Sequence, residues 1–473
     1  SCVANLNPLL EGYKEAAMLN PIYDPLYVID VNETRYYLAD SYEVSEDGMQ
    51  ITVKLKEGLK WHDGEAITAD DMIFTMDVCS DTNNGAGGTN IVILNDQPVK
   101  YEKVDDLTVK VTLPMASASY ADLLGGLTLI PEHVFEGNPS VVSAGEANMK
   151  GIGSGPYKVT EFKQDEYLLL EKYEDYYMGA PSIDKVTFRI ISDLSAQEVA
   201  LMNGEVNFME LANAPAVAKY EADPNFTVVK YPEGRVNYLA VNKFCETVQD
   251  PKVVEAVFAA LNRDEIIAGA YGDGMAESAN SIFSNVNTFY DPSVEGYTQD
   301  VEKAKQLVKE TGLDSKTLTL YFNSERVYMK ESAQIIQQQL KNVGINLEVI
   351  PLESAGFFEK VFGTDGDYEF YLNGYGAVGD PDQVVAGMYD GTWGVNLAVS
   401  DEVSQLWKDA RTVYTPEERA AIYKQIQIQT RDELTCYPIA YPNYVFVTTS
   451  NIKGADTIKR TPVFEDYTKL TME

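Results

Sequence analysis

LTLYFNSERVYMKESAQIIQQQLKNVGINLEVI, residues 318–350, is the stretch on which the fold class turns. Residues 318–322 read as a strand, 328–342 as a helix stopped by Gly344, and 345–350 as a second strand. Two strands joined through one helix pair in parallel by a right-handed crossover, so this part of the chain is α/β. The next segment outward is DYEFYLNGYGAVGDPD, residues 367–382. Tyr368, Phe370 and Leu372 alternate with Glu369, Tyr371 and Asn373, the period of a strand. The side chains then run out. Gly374, Gly376, Ala377 and Gly379 surround Tyr375, and Asp380-Pro381 turns the chain into a short helix. Bare backbone at a strand end can accept an extended peptide as an added strand. The plainer reading is an ordinary strand-to-turn junction.

The flanks extend the same pattern. Asp250-Pro251 opens a helix with Asp as cap and Pro in first place, and Val253, Val254, Val257, Phe258 and Leu261 form its buried face. Helices are expected at 300–312, 400–413 and 415–434, the last opened by a capping box of Thr415 and Glu418 with Pro416 between. Residues 437–448 return as a strand, as do 237–242 upstream. Nearer the start, 51–55, 157–162, 167–172 and 186–191 read as strands, Thr68 caps a helix with Asp71 three residues on, and 80–98 reads as a loop. Pro21 and Pro25 hold residues 22–24 out of a helix. The run GIGSGPY, 151–157, precedes a strand and lacks the Lys-Ser/Thr of a phosphate loop, so it reads as a domain-crossing turn.

At 473 residues the chain is long enough for two or three domains. A net charge of −36 excludes nucleic acid as a partner and disfavours anionic membrane. No apolar run is long enough to span a bilayer. Cys2, Cys79, Cys245 and Cys436 form no CxxC pair, so neither a zinc site nor a redox motif is indicated; buried thiols are the default, with a disulfide left open. No cofactor, metal ligand set or catalytic residue stands out. His62 reads as a structural turn residue, and His133 has no obvious partner.

Five blocks in order resemble extracellular solute-binding proteins of ABC importers of the oligopeptide, dipeptide and nickel type, bacterial solute-binding protein family 5. They are LADSYEVSEDG with KLKEGLKWHDGEAITADDMIFTMD (38–77), GIGSGPYKVTEFKQDEYLLLEKYEDYYMGAPSIDKVTFRII (151–191), DPKVVEAVFAALNRDEI (250–266), IIQQQLKNVGINLEVI (335–350) and GDPD (379–382). One departure is Val254, where the family usually has Arg. The resemblance implies an α/β, two-lobed periplasmic-binding-protein-like fold of type II with an additional α+β subdomain. Lobe I would comprise 1–36, 151–236 and 445–473, its inserted subdomain 37–150, and lobe II 237–444. Ligand would be held in the interlobe cleft and delivered to the transmembrane subunits of a permease by a monomer. The implied location is extracytoplasmic, either periplasmic or as a cell-surface lipoprotein whose leader is absent from this chain.

The resemblance also implies a site. Ligand backbone would pair with the segment Gly374, Tyr375, Gly376, Ala377 and Val378, facing Tyr23 and Asp24. Peptide binders commonly place an Asp where Ala377 stands; Asp24 or Asp380 would have to substitute, or the ligand lacks a free amino terminus there. Asn396 and Tyr441 are further candidates, and Arg326 and Tyr328 suit a ligand carboxylate. Peptide capture is the leading expectation. An oligosaccharide, another small solute or a metal chelate is the alternative, and a carboxylate-dependent hydrolase the remote one.

Overall fold

The structure, a computed structural model, describes residues 5–10, 16–29, 33–376, 379–389, 397, 399–457 and 466–473. The chain forms two compact units, one of residues 1–210, 223–229 and 446–473, the other of 211–222 and 230–445.

In the first unit, Ala39–Val44, Gln50–Leu55, Thr108–Thr112 and Lys100–Asp105 form an antiparallel sheet in that order. Ile51, Val53 and Leu55 point inward with Val109 and Val111, and Trp61, Met72 and Met76 fill the same core. The helix Ala69–Ser80 starts where its sequence signal stands: Thr68 and Asp71 form a reciprocal capping box. A second antiparallel sheet orders Lys185–Arg189, Tyr167–Lys172 and Tyr157–Lys163. The 80–98 stretch is more than a loop. It holds the short helix Thr89–Val92 and the hairpin Ile93–Leu94 with Gln97–Pro98, anchored by buried Ile91 and Val92.

The second unit is built on one sheet. Its central run is β1 (Arg235–Val241), β2 (Thr317–Asn323), β3 (Asn346–Leu352), β4 (Phe370–Gly376) and β5 (Cys436–Thr449, which ends in the first unit), in the order β5-β1-β4-β2-β3, and Phe208–Glu210, Phe226–Pro232 and Ala276–Ser278 also pair with β5. β2 and β3 pair in parallel from Thr317↔Asn346 to Asn323↔Leu352, joined by the helix α1 (Val327–Asn342), as the crossover rule requires. Both faces of the sheet are covered. Leu239, Val241, Leu320, Phe370 and Leu372 enter one core with Val253, Val257 and Phe258; Tyr238, Ala240 and Tyr371 enter the other with Trp407, Tyr423 and Phe357. The alternation in β4 therefore sorts residues between two cores, not between core and solvent. Even Glu369 is buried, its Oε2 accepting from the Thr319 backbone N–H at 2.7 Å. The expected capping box at Thr415 does not form: its hydroxyl donates to Glu418 itself, and the helix Pro416–Asp432 has no side-chain cap bond. Cys245 and Cys436 in the second unit are free, buried thiols, and Cys79 in the first is buried; Cys2 lies outside the described residues.

Candidate functional site

The decisive geometry lies at the end of β4. On one side β4 pairs with β1 along its whole length, Val241↔Phe370 to Arg235↔Gly376. On the other it meets β2 only at Leu320↔Phe370 and Tyr321↔Tyr371. In an antiparallel ladder alternate residues aim their backbone groups at the partner. The Asn242 N–H donates to the Glu369 carbonyl, which sets the phase. Pro438 agrees with it, since this residue without an N–H stands opposite Tyr238 on the far side of β1. It follows that Tyr371, Asn373 and Tyr375 bond toward β1, while Gly374 and Gly376 turn their N–H and C=O groups away, to a side where no described strand pairs with them.

Gly374 is glycine for a steric reason. A Cβ there would lie 2.1 Å from Asn237 Oδ1 and 2.9 Å from Arg235 Nε, because both side chains cross over it. A Cβ on Gly376 would meet open space. Tyr375 turns its ring inward, toward Tyr238 at 5.2 Å, and its hydroxyl donates to the Ile282 carbonyl at 2.7 Å. Tyr441 is likewise interior, its hydroxyl accepting from Ser281 N–H and donating to Asn280 Oδ1. Tyr328 is half-buried and stacks on Tyr271, whereas Arg326 is exposed at the start of α1. Ala377, Val378 and Asn396 lie outside the described residues.

Asp380 has a structural occupation. Arg419 grips it with two nitrogens at 2.5 and 2.9 Å, Tyr423 adds its hydroxyl, and one carboxylate oxygen caps Asp382 N–H. Arg411 holds Asp382 at 2.6 Å. The Gly-Asp-Pro-Asp turn is thus clamped by two arginines, and both Asp380 oxygens are committed.

In the first unit, Tyr23 is buried and donates to the Leu6 carbonyl at 3.0 Å. Asp24 is fully buried; Tyr176 and Tyr177 donate to its Oδ2 at 2.9 and 2.7 Å, and its Oδ1 has no partner among the described residues. Burial pushes this carboxyl up to about 7, against the pull of the two phenols and of Lys56, with Asp466 adding to the rise. The glycine run is the strap behind this segment. Gly155 N–H donates to Ile22 O and Tyr157 N–H to Pro21 O, and the Ser154 hydroxyl accepts from Asp24 N–H. A Cβ on Gly153 would lie 2.0 Å from Ile22 O. His62 closes the strap from behind, with Nε2 on Gly155 O at 2.9 Å and Nδ1 accepting from Gly153 N–H at 3.2 Å. That arrangement needs the neutral ring protonated on Nε2, and burial holds the group down to about 4. His133 does have a partner, Asp63 Oδ2 at 2.8 Å, a contact between residues 70 apart that sequence spacing does not reveal.

Sequence reasoning missed Arg235, Asn237, Tyr271, Ser154, Tyr176 and Tyr177. Only the paired tyrosines and the serine between glycines stood in blocks already singled out.

The two units, the mixed sheet with its crossover and the open strand end define a solute-binding architecture. The chain matches the bacterial extracellular solute-binding proteins, family 5, middle region, over residues 33–396, and it belongs to that family. It is 26% identical to the dipeptide-binding protein of Escherichia coli K12 over 92% of this chain and 86% of the relative. Its structure resembles that of AppA from Clostridium difficile, 34% identical over 99% and 97% of the two chains, with a TM-score of 0.92. It also resembles the oligopeptide-binding protein AppA of Bacillus subtilis, solved with a nonapeptide (26% identical, 99% and 97% covered, TM-score 0.77). All three relatives are described as peptide-binding proteins. No described helix is long and apolar enough to cross a membrane.

Proposed function

We propose that this protein captures peptides outside the cytoplasm and delivers them to the membrane subunits of an ABC importer, acting as a monomer. The observation that carries the reading is the open edge of β4. Gly376 presents its backbone donor and acceptor and Gly374 its donor with no described strand beside them, and Gly376 carries no side chain to keep another chain away. An extended peptide adds there as a strand, gaining main-chain hydrogen bonds without regard to its sequence. Tyr328, in the first turn of α1, stacks on Tyr271, which bonds the Asn237 side chain that crosses Gly374. The peptide seen in the Bacillus subtilis relative supports the same ligand class.

Native mass spectrometry of the purified protein tests this. A ladder of co-purified peptide masses is the expected result. A series spaced by hexose units in its place sinks the proposal, and turnover of the bound species points to an enzyme.

A further inference from the structure

Arg235 extends from β1 across the face of β4. Its Nε donates to Asn237 Oδ1 at 3.2 Å and its Nη2 to the Gly374 carbonyl at 2.6 Å. Asn237 is fixed in turn, because its Nδ2 donates to the Tyr271 hydroxyl at 2.8 Å and Tyr271 stacks on Tyr328 with ring centroids 5.3 Å apart. The guanidinium is thus held from two sides while remaining only partly buried. The carbonyl it holds is one of those facing away from β1. An arriving peptide therefore meets a guanidinium where a bare strand edge would offer an acceptor.

The chain has 73 acidic residues against 37 basic ones. Arg189, Arg411, Arg419 and Arg431 each pair with a carboxylate, whereas Arg263 donates to the Pro438 carbonyl. Arg235 bonds only neutral groups among the described residues. Glu233 acts electrostatically on Tyr271 and Tyr328, as Arg235 does. Holding a partly buried cation without a counter-charge is costly. The planar fork of a guanidinium matches a carboxylate.

We propose that Arg235 is a specificity residue that receives a carboxylate of the bound peptide, either the chain terminus or an acidic side chain. The inference rests on the peptide reading above. On binding, the guanidinium exchanges the Gly374 carbonyl for the ligand's carboxylate and frees that carbonyl for a backbone N–H.

The test compares three forms of a hexapeptide mixture randomised without Asp or Glu: free carboxylate, carboxyl-terminal amide, and amide with one Glu added. Competition is read by native mass spectrometry on wild type, R235K and R235Q, each checked for folding by thermal melt. Wild type is expected to prefer a carboxylate-bearing form over the neutral amide by about tenfold or more. R235K is expected to keep part of that preference and R235Q to lose it. The favoured form tells terminus from side chain. Equal binding of all forms by wild type, or an intact preference in R235Q, overturns the role of Arg235 while peptide capture stands. Wild-type binding of none of the forms overturns the peptide reading and this inference with it.

Discussion

Asp24 sits in its unit as a carboxyl group with one oxygen served by two phenols and the other by no described residue. An unfolded Asp ionises near 3.9; the folded one is pushed up to about 7. Between those values the folded state keeps a proton that the unfolded state has lost. Stability from this group is therefore highest below about pH 4, falls as pH rises to about 7, and is flat above. Asp24→Asn still offers the tyrosines an acceptor and removes the slope. Denaturant melts at pH 5 and pH 8 are expected to show wild type losing stability, on the order of 2–4 kcal/mol, that D24N keeps. An equal slope in both proteins would mean the carboxyl ionises normally. His62 works in the opposite sense. Held down to about 4, it lowers stability as pH falls from about 6.5 toward 4, because the unfolded ring takes up the proton first. Neither shift was legible in the sequence. His62 reads correctly as a turn residue, but its two bonds to the strap come from residues about ninety positions away.

At the scale of the element, the turn after β4 depends on Arg419. Removing it as Arg419→Met leaves Asp380 buried without a counter-charge. Thermal or urea melts are expected to show a loss of about 3–5 kcal/mol, with Asp380→Asn costing a similar amount because it leaves the buried Arg419 guanidinium without its counter-charge. Gly374→Ala tests the strand itself. Its new methyl pushes against Asn237 and Arg235, so a destabilisation of about 1–3 kcal/mol is expected, while Gly376→Ala stays near wild type at the same strand end. These elements also show what a sequence reveals. The crossover β2-α1-β3 was legible because its periods and glycine stop are local signals. The Thr68 capping box and the Asp250-Pro251 start were legible for the same reason. The open edge of β4 was only half legible. Missing side chains marked the spot, but which carbonyls face outward follows from register, fixed by Asn242 and Pro438 on another strand. Arg235 was invisible because nothing in its neighbours along the chain announces that it crosses a glycine 139 positions away.

For the molecule as a whole, a charge of −36 acts on any ligand before contact. That field repels an anionic peptide and draws a cationic one, and salt screens both effects. Stopped-flow association is expected to quicken with ionic strength for a peptide of net negative charge and to slow for a positive one. Identical salt slopes would show that the local cations outweigh the global field.

The buried cysteines make each unit its own clock. The Cys436 thiol is pushed up to about 12 by burial, so it holds almost no thiolate at neutral pH and stays unreactive until its surroundings open. Cys79 marks one unit, and Cys245 with Cys436 marks the other. In a Cys2→Ser background, alkylation followed by peptide mapping would time the opening of the two units separately, without any introduced dye, and would show which of them a ligand slows.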